Sequence, residues 1–171
     1  NYRKTRLLME ADMAIYSAHL PLDLHPSLGN NALLAAAIGL GDGEPFHEAF
    51  GQKIGLRFEA EVSREVLRDH LERAVGGNVH LAPGGPVLAR RIGIVTGGAG
   101  AEIAKAAAAG IDTFITGEGP HWSYTLAEEL RVNLFYAGHY ATETFGVKAI
   151  AEILARKLAL PWQFIDHPTG L

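Results

Sequence analysis

The spacing of apolar and polar residues changes along this chain, and each change marks an element. Residues 3–12 repeat at helical spacing, and residues 13–18, MAIYSA, form an apolar run that predicts a buried strand. Residues 19–31, HLPLDLHPSLGNN, lose the period and are punctuated by Pro21, Pro26 and Gly29, so they read as turns. NALLAAAIGL predicts a helix that Asn30 or Asn31 caps and Gly39 or Gly41 stops. Residues 41–52 read as a loop or hairpin, and residues 53–60, KIGLRFEA, alternate as a strand. Ser63 opens a helix with Val66, Leu67, Leu71, Ala74 and Val75 on one face. NVHLAP predicts a short strand.

From residue 90 the pattern becomes regular. RIGIVT, DTFIT, VNLFYAG and WQFID predict strands. Between them, GGAGAEIAKAAAAG, PHWSYTLAEEL and the long HYATETFGVKAIAEILARKLAL predict helices. Strand–helix alternation at this pitch implies a parallel or mixed sheet with helices on its faces.

Composition narrows the function more than the fold. Of 171 residues, 48% are hydrophobic and 20% charged, the balance of a folded globular chain. The formal net charge is −4 with scattered basic residues, so no nucleic-acid footprint is visible. The longest apolar run, Ala32 to Leu40, falls well short of the roughly 20 residues a membrane helix needs. With no secretory signal either, the expected compartment is the cytoplasm. The absence of cysteine excludes disulfides, thiolate metal sites and cysteine nucleophiles. Any metal chemistry falls to His, Asp and Glu.

Those residue types gather where predicted strands run into helices. In AGHYATE, His139 and Glu143 are four residues apart at a helix start, so both can reach one cation. The plainer alternative is that Glu143 complements the helix N-terminus while His139 helps to cap it. HLPLDLHP crowds His19, Asp23 and His25 onto a proline-stiffened turn, suited to a metal ligand, a general base or an Asx turn. TGEGPHW places Glu118 and His121 beyond a third strand. VTGGAG is a glycine-rich turn able to present amides to an anion, but it is neither a Walker A loop nor a complete G-x-G-x-x-G, since Ile103 occupies the third position. If the strands are parallel, these clusters share one edge of the sheet.

Taken together, AHLPLDLHPSLGNNALLAAAIGL, VTGGAG, GIDTFITGE and YAGHYATE resemble the Nif-three-like dinuclear metal-centre proteins. These are the Ngg-interacting factors, often named type-two GTP cyclohydrolase I homologues. The resemblance runs from about Leu7 to Pro168. It implies two related α/β lobes with mixed sheets flanked by helices, assembled as a homohexameric ring. On that reading residues 1–43 are the remainder of a first metal-binding lobe, incomplete at its amino terminus. Residues 44–85 are an inserted or linking segment, and residues 86–171 are the second lobe. The implied metal ligands are Asp23, His139 and Glu143, holding two divalent ions among Zn, Mn, Fe, Ni or Mg. The family's adjacent His-His pair does not occur in this sequence. Because the chain opens at Asn1 on what reads as mid-domain sequence, we expect that pair to precede it; the other possibility is that this member lacks it.

Function then divides three ways. The first is a metal-dependent hydrolase acting on a nucleotide or phosphorylated small molecule, with Glu118, His121 and His19 as candidates for orienting ligands or moving protons. The second is a non-catalytic metal-binding ring that serves as a scaffold or binds partners. The third is a nucleotide-binding module built on Gly97, Gly98 and Gly100.

Overall fold

A computed structural model describes residues 1–170 as a six-stranded mixed sheet flanked by helices. The elements run α1 (Tyr2–Glu10), α2 (Leu20–Asp23), α3 (Asn30–Ala37), β1 (Glu44–Ala49), β2 (Gln52–Ser63), α4 (Arg64–Val75), β3 (His80–Pro83) and β4 (Leu88–Ile94). After a short 3₁₀ turn come α5 (Ile103–Ala108), β5 (Thr113–Thr116), α6 (Trp122–Glu129), β6 (Asn133–Tyr136), α7 (His139–Thr142) and α8 (Thr144–Leu158).

The strand order is β1-β2-β4-β5-β6-β3. The inner strands β4, β5 and β6 are parallel, joined by α5 and α6, while β1, β2 and β3 pair antiparallel on the flanks. Parallel strands buried on both faces need apolar residues pointing both ways. The short strands supply them: Phe114 and Leu134 point to one side with Ile103 and Ala106, while Ile115 and Phe135 point to the other with Leu34, Leu67 and Leu71. Each such side chain taken fully out of water contributes about 1.5–3 kcal/mol. The β1–β2 hairpin turns on Phe50 and Gly51, both at positive φ (53° and 72°), as a two-residue turn of the twist-matched kind requires. Ser63 caps α4 by accepting from the Val66 amide at 3.2 Å, and Gly76 closes it in the left-handed conformation.

Three local expectations change. Residues 13–18 and 162–166 are neither strand nor helix, and their apolar side chains lie open: Tyr16 is 82% exposed and Ile165 81%. An apolar run becomes a strand only where a neighbour offers a ladder, and both edges of the described sheet end elsewhere. The long carboxy-terminal helix breaks at Glu143, which stands between α7 and α8. Third, neither Asn30 nor Asn31 caps α3; Gly29 holds that position.

The two asparagines instead face inward and tie distant segments together. Asn31 is 2% exposed. Its amide donates to the Ile54 carbonyl at 2.8 Å and to the Asp23 carbonyl at 3.3 Å, and its oxygen accepts from the Thr96 amide at 2.9 Å. Asn30 donates to Asp23 Oδ1 at 2.6 Å and accepts from the Gly146 amide at 2.7 Å. Gly146 lies in the first turn of α8, where amides lack a partner within the helix, so Asn30 caps α8 from across the fold. Asn31→Ala leaves the buried Thr96 amide without an acceptor. We expect it to lower unfolding stability by about 2–4 kcal/mol, read as a fall in urea midpoint at unchanged slope.

Candidate metal centre

The carboxyl ends of β4, β5 and β6 lie side by side because the three strands are parallel and in register. VTGGAG follows β4, GEGPHW follows β5 and AGHYATE follows β6, so these three junctions share one edge as expected, whereas HLPLDLHP follows no strand because residues 13–18 do not form one. The loops also bond to one another. The Gly117 and Glu118 amides donate to the Gly97 carbonyl at 2.7 and 3.0 Å, and the Gly100 amide donates to the Glu118 carbonyl at 3.0 Å.

Two threonines that the sequence did not single out hold the glycine turn. Thr116 donates to the Gly97 carbonyl at 3.0 Å and accepts from the Ala99 amide at 3.0 Å. Thr142 accepts from the Gly97 amide at 3.1 Å. The amides of Gly97, Ala99 and Gly100 are thus engaged by the protein itself. Two of the three glycine amides on which the nucleotide-binding alternative rests, those of Gly97 and Gly100, are therefore taken up.

His139 opens α7, and each of its ring nitrogens faces a carboxylate. Nδ1 lies 2.8 Å from Glu118 Oε1, and Nε2 lies 3.4 Å from Glu143 Oε2. An ionised carboxylate only accepts, so Nδ1 carries the proton toward Glu118. In the neutral ring Nε2 then turns a lone pair toward Glu143. From the other side, α2 brings up His19 and Asp23. Ligand-capable atoms of His19, Asp23 and Glu143 all lie within 4.8 Å of one another. His19, Asp23, His139 and Glu143 line one cleft of about 230 Å³ together with Asn31, Thr96 and Gly98.

This arrangement is rich in acceptors and poor in donors. Among the described residues the one donor fixed on a cluster carboxylate by an amide side chain is Asn30, on Asp23. Burial pushes the carboxyls of both Asp23 and Glu143 up from their ordinary range; Asn30 and the neighbouring histidines draw Asp23 back down, and His139 does the same for Glu143. Asp23 also raises Glu143 by like-charge repulsion. Imidazole and carboxylate donors converging in a half-buried cleft fit a divalent cation of borderline hardness. Gly97 leaves the room: at φ +74°, a Cβ there would run into the Glu143 carboxylate and lie 3.2 Å from His139 Nε2.

The remaining candidates fall around this cluster. Glu118 sits behind His139, the place of a carboxylate that orients a ligating imidazole. His19, expected as an orienting or proton-moving residue, instead stands among the ligand-capable atoms. His121 faces a neighbouring cavity that Glu118 also lines. His25 turns away, accepting the Ser27 and Leu28 amides on its own turn.

The sequence profile of the Duf34/NIF3 family (NGG1p interacting factor 3) matches residues 1–169, and the chain belongs to that family. It is 39% identical over 173 residues to the GTP cyclohydrolase 1 type 2 homolog of Deinococcus radiodurans, covering 100% of this chain and 66% of that protein. The homolog of Pyrococcus horikoshii is 40% identical over 172 residues, with 99% and 68% covered. Among solved structures, TTHA1606 from Thermus thermophilus superposes with a TM-score of 0.88 at 38% identity, covering 99% of this chain and 67% of that one. Reduced HcgD from Methanocaldococcus jannaschii gives 0.81 at 29% identity, with 93% and 63% covered. The chain therefore spans about two thirds of the length of the relatives it matches.

Two outcomes follow from the geometry. With raised carboxyl pKa values, the folded chain keeps protons that the unfolded chain has lost above the ordinary values of 3.8 for Asp23 and 4.5 for Glu143. Metal-free stability therefore falls as pH rises through the window between those values and the raised folded ones. A urea-midpoint series against pH should show this fall, and Asp23→Asn should flatten it. Gly97→Ala should weaken Zn²⁺ binding at least about tenfold by displacing Glu143, and should cost about 1 kcal/mol of stability for the left-handed backbone. Calorimetric titration beside a urea melt separates the two effects.

Proposed function

We propose that this chain forms part of a dinuclear metal site in a metal-dependent hydrolase. One observation carries the reading: ligand-capable atoms of His19, Asp23 and Glu143 lie within 4.8 Å of one another, His139 Nε2 lies 3.4 Å from Glu143 Oε2, and all four residues line one cleft. Such an arrangement is costly in a half-buried site unless a cation lies among the acceptors. Asp23, His139 and Glu143 are assigned as ligands, with His19 beside them. The family resemblance implies an adjacent His-His pair, which does not occur in this sequence, and a second divalent ion.

A bound divalent cation supplies Lewis acidity, lowering the pKa of water and polarising a substrate oxygen. The chain's own residues do the rest. Glu118 accepts from His139 Nδ1, which fixes the tautomer and keeps the Nε2 lone pair toward the cluster. Asn30 fixes one oxygen of Asp23, leaving the other free to face the cleft. The α7–α8 break at Glu143 turns its carboxylate back toward His139. Glu118 and His121 line the adjoining cavity and are the candidates for moving a proton to or from substrate. The names of the relatives, GTP cyclohydrolase 1 type 2 homologs, favour a GTP cyclohydrolase-like reaction, with phosphoester hydrolysis by a metal-activated water as the other form of the same reading.

Self-association accompanies this reading. Apolar residues stand open on α1 and in the following segment (Tyr2, Leu7, Met9, Met13) and on α8 and the tail (Leu154, Leu158, Trp162), as an assembling subunit would present. They are also the observation that favours the second reading, a metal-binding ring that serves as scaffold.

Full-length protein loaded with Mn²⁺ or Zn²⁺ should turn over GTP or a simple phosphodiester. His139→Ala should abolish that turnover, and Glu118→Gln should lower it, or the metal affinity, by about 10–100-fold. Tight metal binding with no turnover across a broad substrate panel would favour the scaffold. Turnover undiminished in His139→Ala would reject this site.

A further inference from the structure

Beyond Glu118 from the metal cluster lies a second, more open cavity of about 510 Å³. Its walls include His80, Glu118, His121, Tyr124 and Tyr136, with Gly117 and Gly138 beside them. It is distinct from the ligand cleft, and Glu118 links the two: it lines this cavity and bonds, at 2.8 Å, the His139 ring that lines the cleft.

Three rings from three elements meet there. His80 opens β3 directly opposite Tyr136 of β6, and Tyr124 comes from α6. The His80 centroid lies 5.7 Å from Tyr124 and 5.9 Å from Tyr136, with the planes inclined by 38° and 32°. At these separations the three rings form one continuous aromatic wall of the cavity. The platform is also held in place. Ser123 is fully buried and donates to the Pro120 carbonyl at 2.6 Å. A serine has one proton, so Tyr136 must be the donor in its 2.8 Å contact with Ser123 Oγ. Tyr136 is thereby pinned at its far end, and burial raises its pKa, so the phenol stays protonated.

Polar chemistry is added by one carboxylate. Glu118 is the acidic residue of the lining, and only its Oε1 is taken by His139. Its other oxygen and the remaining lone pairs can accept from a ligand. An aromatic platform beside a carboxylate acceptor selects against free anions and aliphatic chains, and for a flat ring that brings its own N–H donors.

We propose that this cavity binds a flat heteroaromatic molecule carrying N–H donors, stacked on His80, Tyr124 and Tyr136 and hydrogen-bonded to Glu118. The stacked ring is then set next to the metal cluster, with the Glu118–His139 pair between them. That this molecule is the hydrolase substrate rests on the function proposed above; its binding does not.

The test uses 2-aminobenzimidazole as probe and the whole chain stripped of metal, so that the cavity is read independently of the cluster. Saturable binding should shift the aromatic ¹³C resonances of His80, Tyr124 and Tyr136. Tyr124→Leu should weaken it about tenfold, and cyclohexylguanidine, which has the donors but no flat ring, should bind the parent chain about tenfold more weakly. His80→Ala, at an exposed edge position, serves as a second variant that leaves the core untouched. Zn²⁺ affinity should be the same in the parent and in Tyr124→Leu. Shifts absent from these rings, equal affinity in both variants, or equally tight cyclohexylguanidine would overturn the assignment. Probe binding in a chain that fails to bind Zn²⁺ would support it while rejecting the metal reading.

Discussion

The site depends on two buried asparagines. Asn30 and Asn31 are successive residues of α3, yet their side chains reach α2, β2, the end of β4 and the start of α8. A buried amide left unpaired costs more than its bond contributes when made. Each of these contacts is therefore close to obligatory, and α2 with His19 and Asp23 can settle only where all are satisfied. The fixed position of Asp23 opposite Glu143 is a consequence of that accounting, not of direct attraction between the two carboxylates, which repel.

Repulsion between the Asp23 and Glu143 carboxylates is the second constraint. Two carboxylates and two imidazoles crowd a cleft that burial partly dries, and both Asp23 and Glu143 are pushed toward holding a proton. A fold tolerates such a cluster when the surrounding structure over-determines it. Here that role falls to the loop amides, which Thr116 and Thr142 engage, and to the close packing of Gly97, Gly100 and Gly117 against neighbouring backbone and side chains. Each glycine makes room for something specific: Gly97 for Glu143, Gly100 for Gly119, and Gly117 for the backbone of His139.

Parallel topology converts separate motifs into one edge. Strands β4, β5 and β6 all end on the same side, so their following loops converge without further instruction. That convergence also places Glu118 between two cavities, one lined by ligand-capable side chains and one by aromatic rings. One carboxylate can then orient His139 and meet a ligand at once, which couples the two spaces chemically.

Much of this was legible along the chain. Period and apolar runs fixed α4 from Ser63, the β4–α5–β5–α6–β6 alternation, and the junctions carrying His139, Glu143 and Glu118, because those signals are local. Residues 13–18 and 162–166 misled for the same reason: their apolar spacing is real, but a strand exists only with a partner, and partnership is not written in the segment. Asn30 and Asn31 read as caps because local chemistry favours that role, whereas their actual partners lie as far as 116 residues away. His19 could not be placed among the ligand-capable atoms from spacing, since its neighbour Glu143 belongs to the far end of the chain. The sequence by itself determined which residue types stand at each strand end. Only the tertiary structure decided which of them meet, because meeting depends on buried hydrogen bonds that no single stretch of chain can satisfy alone.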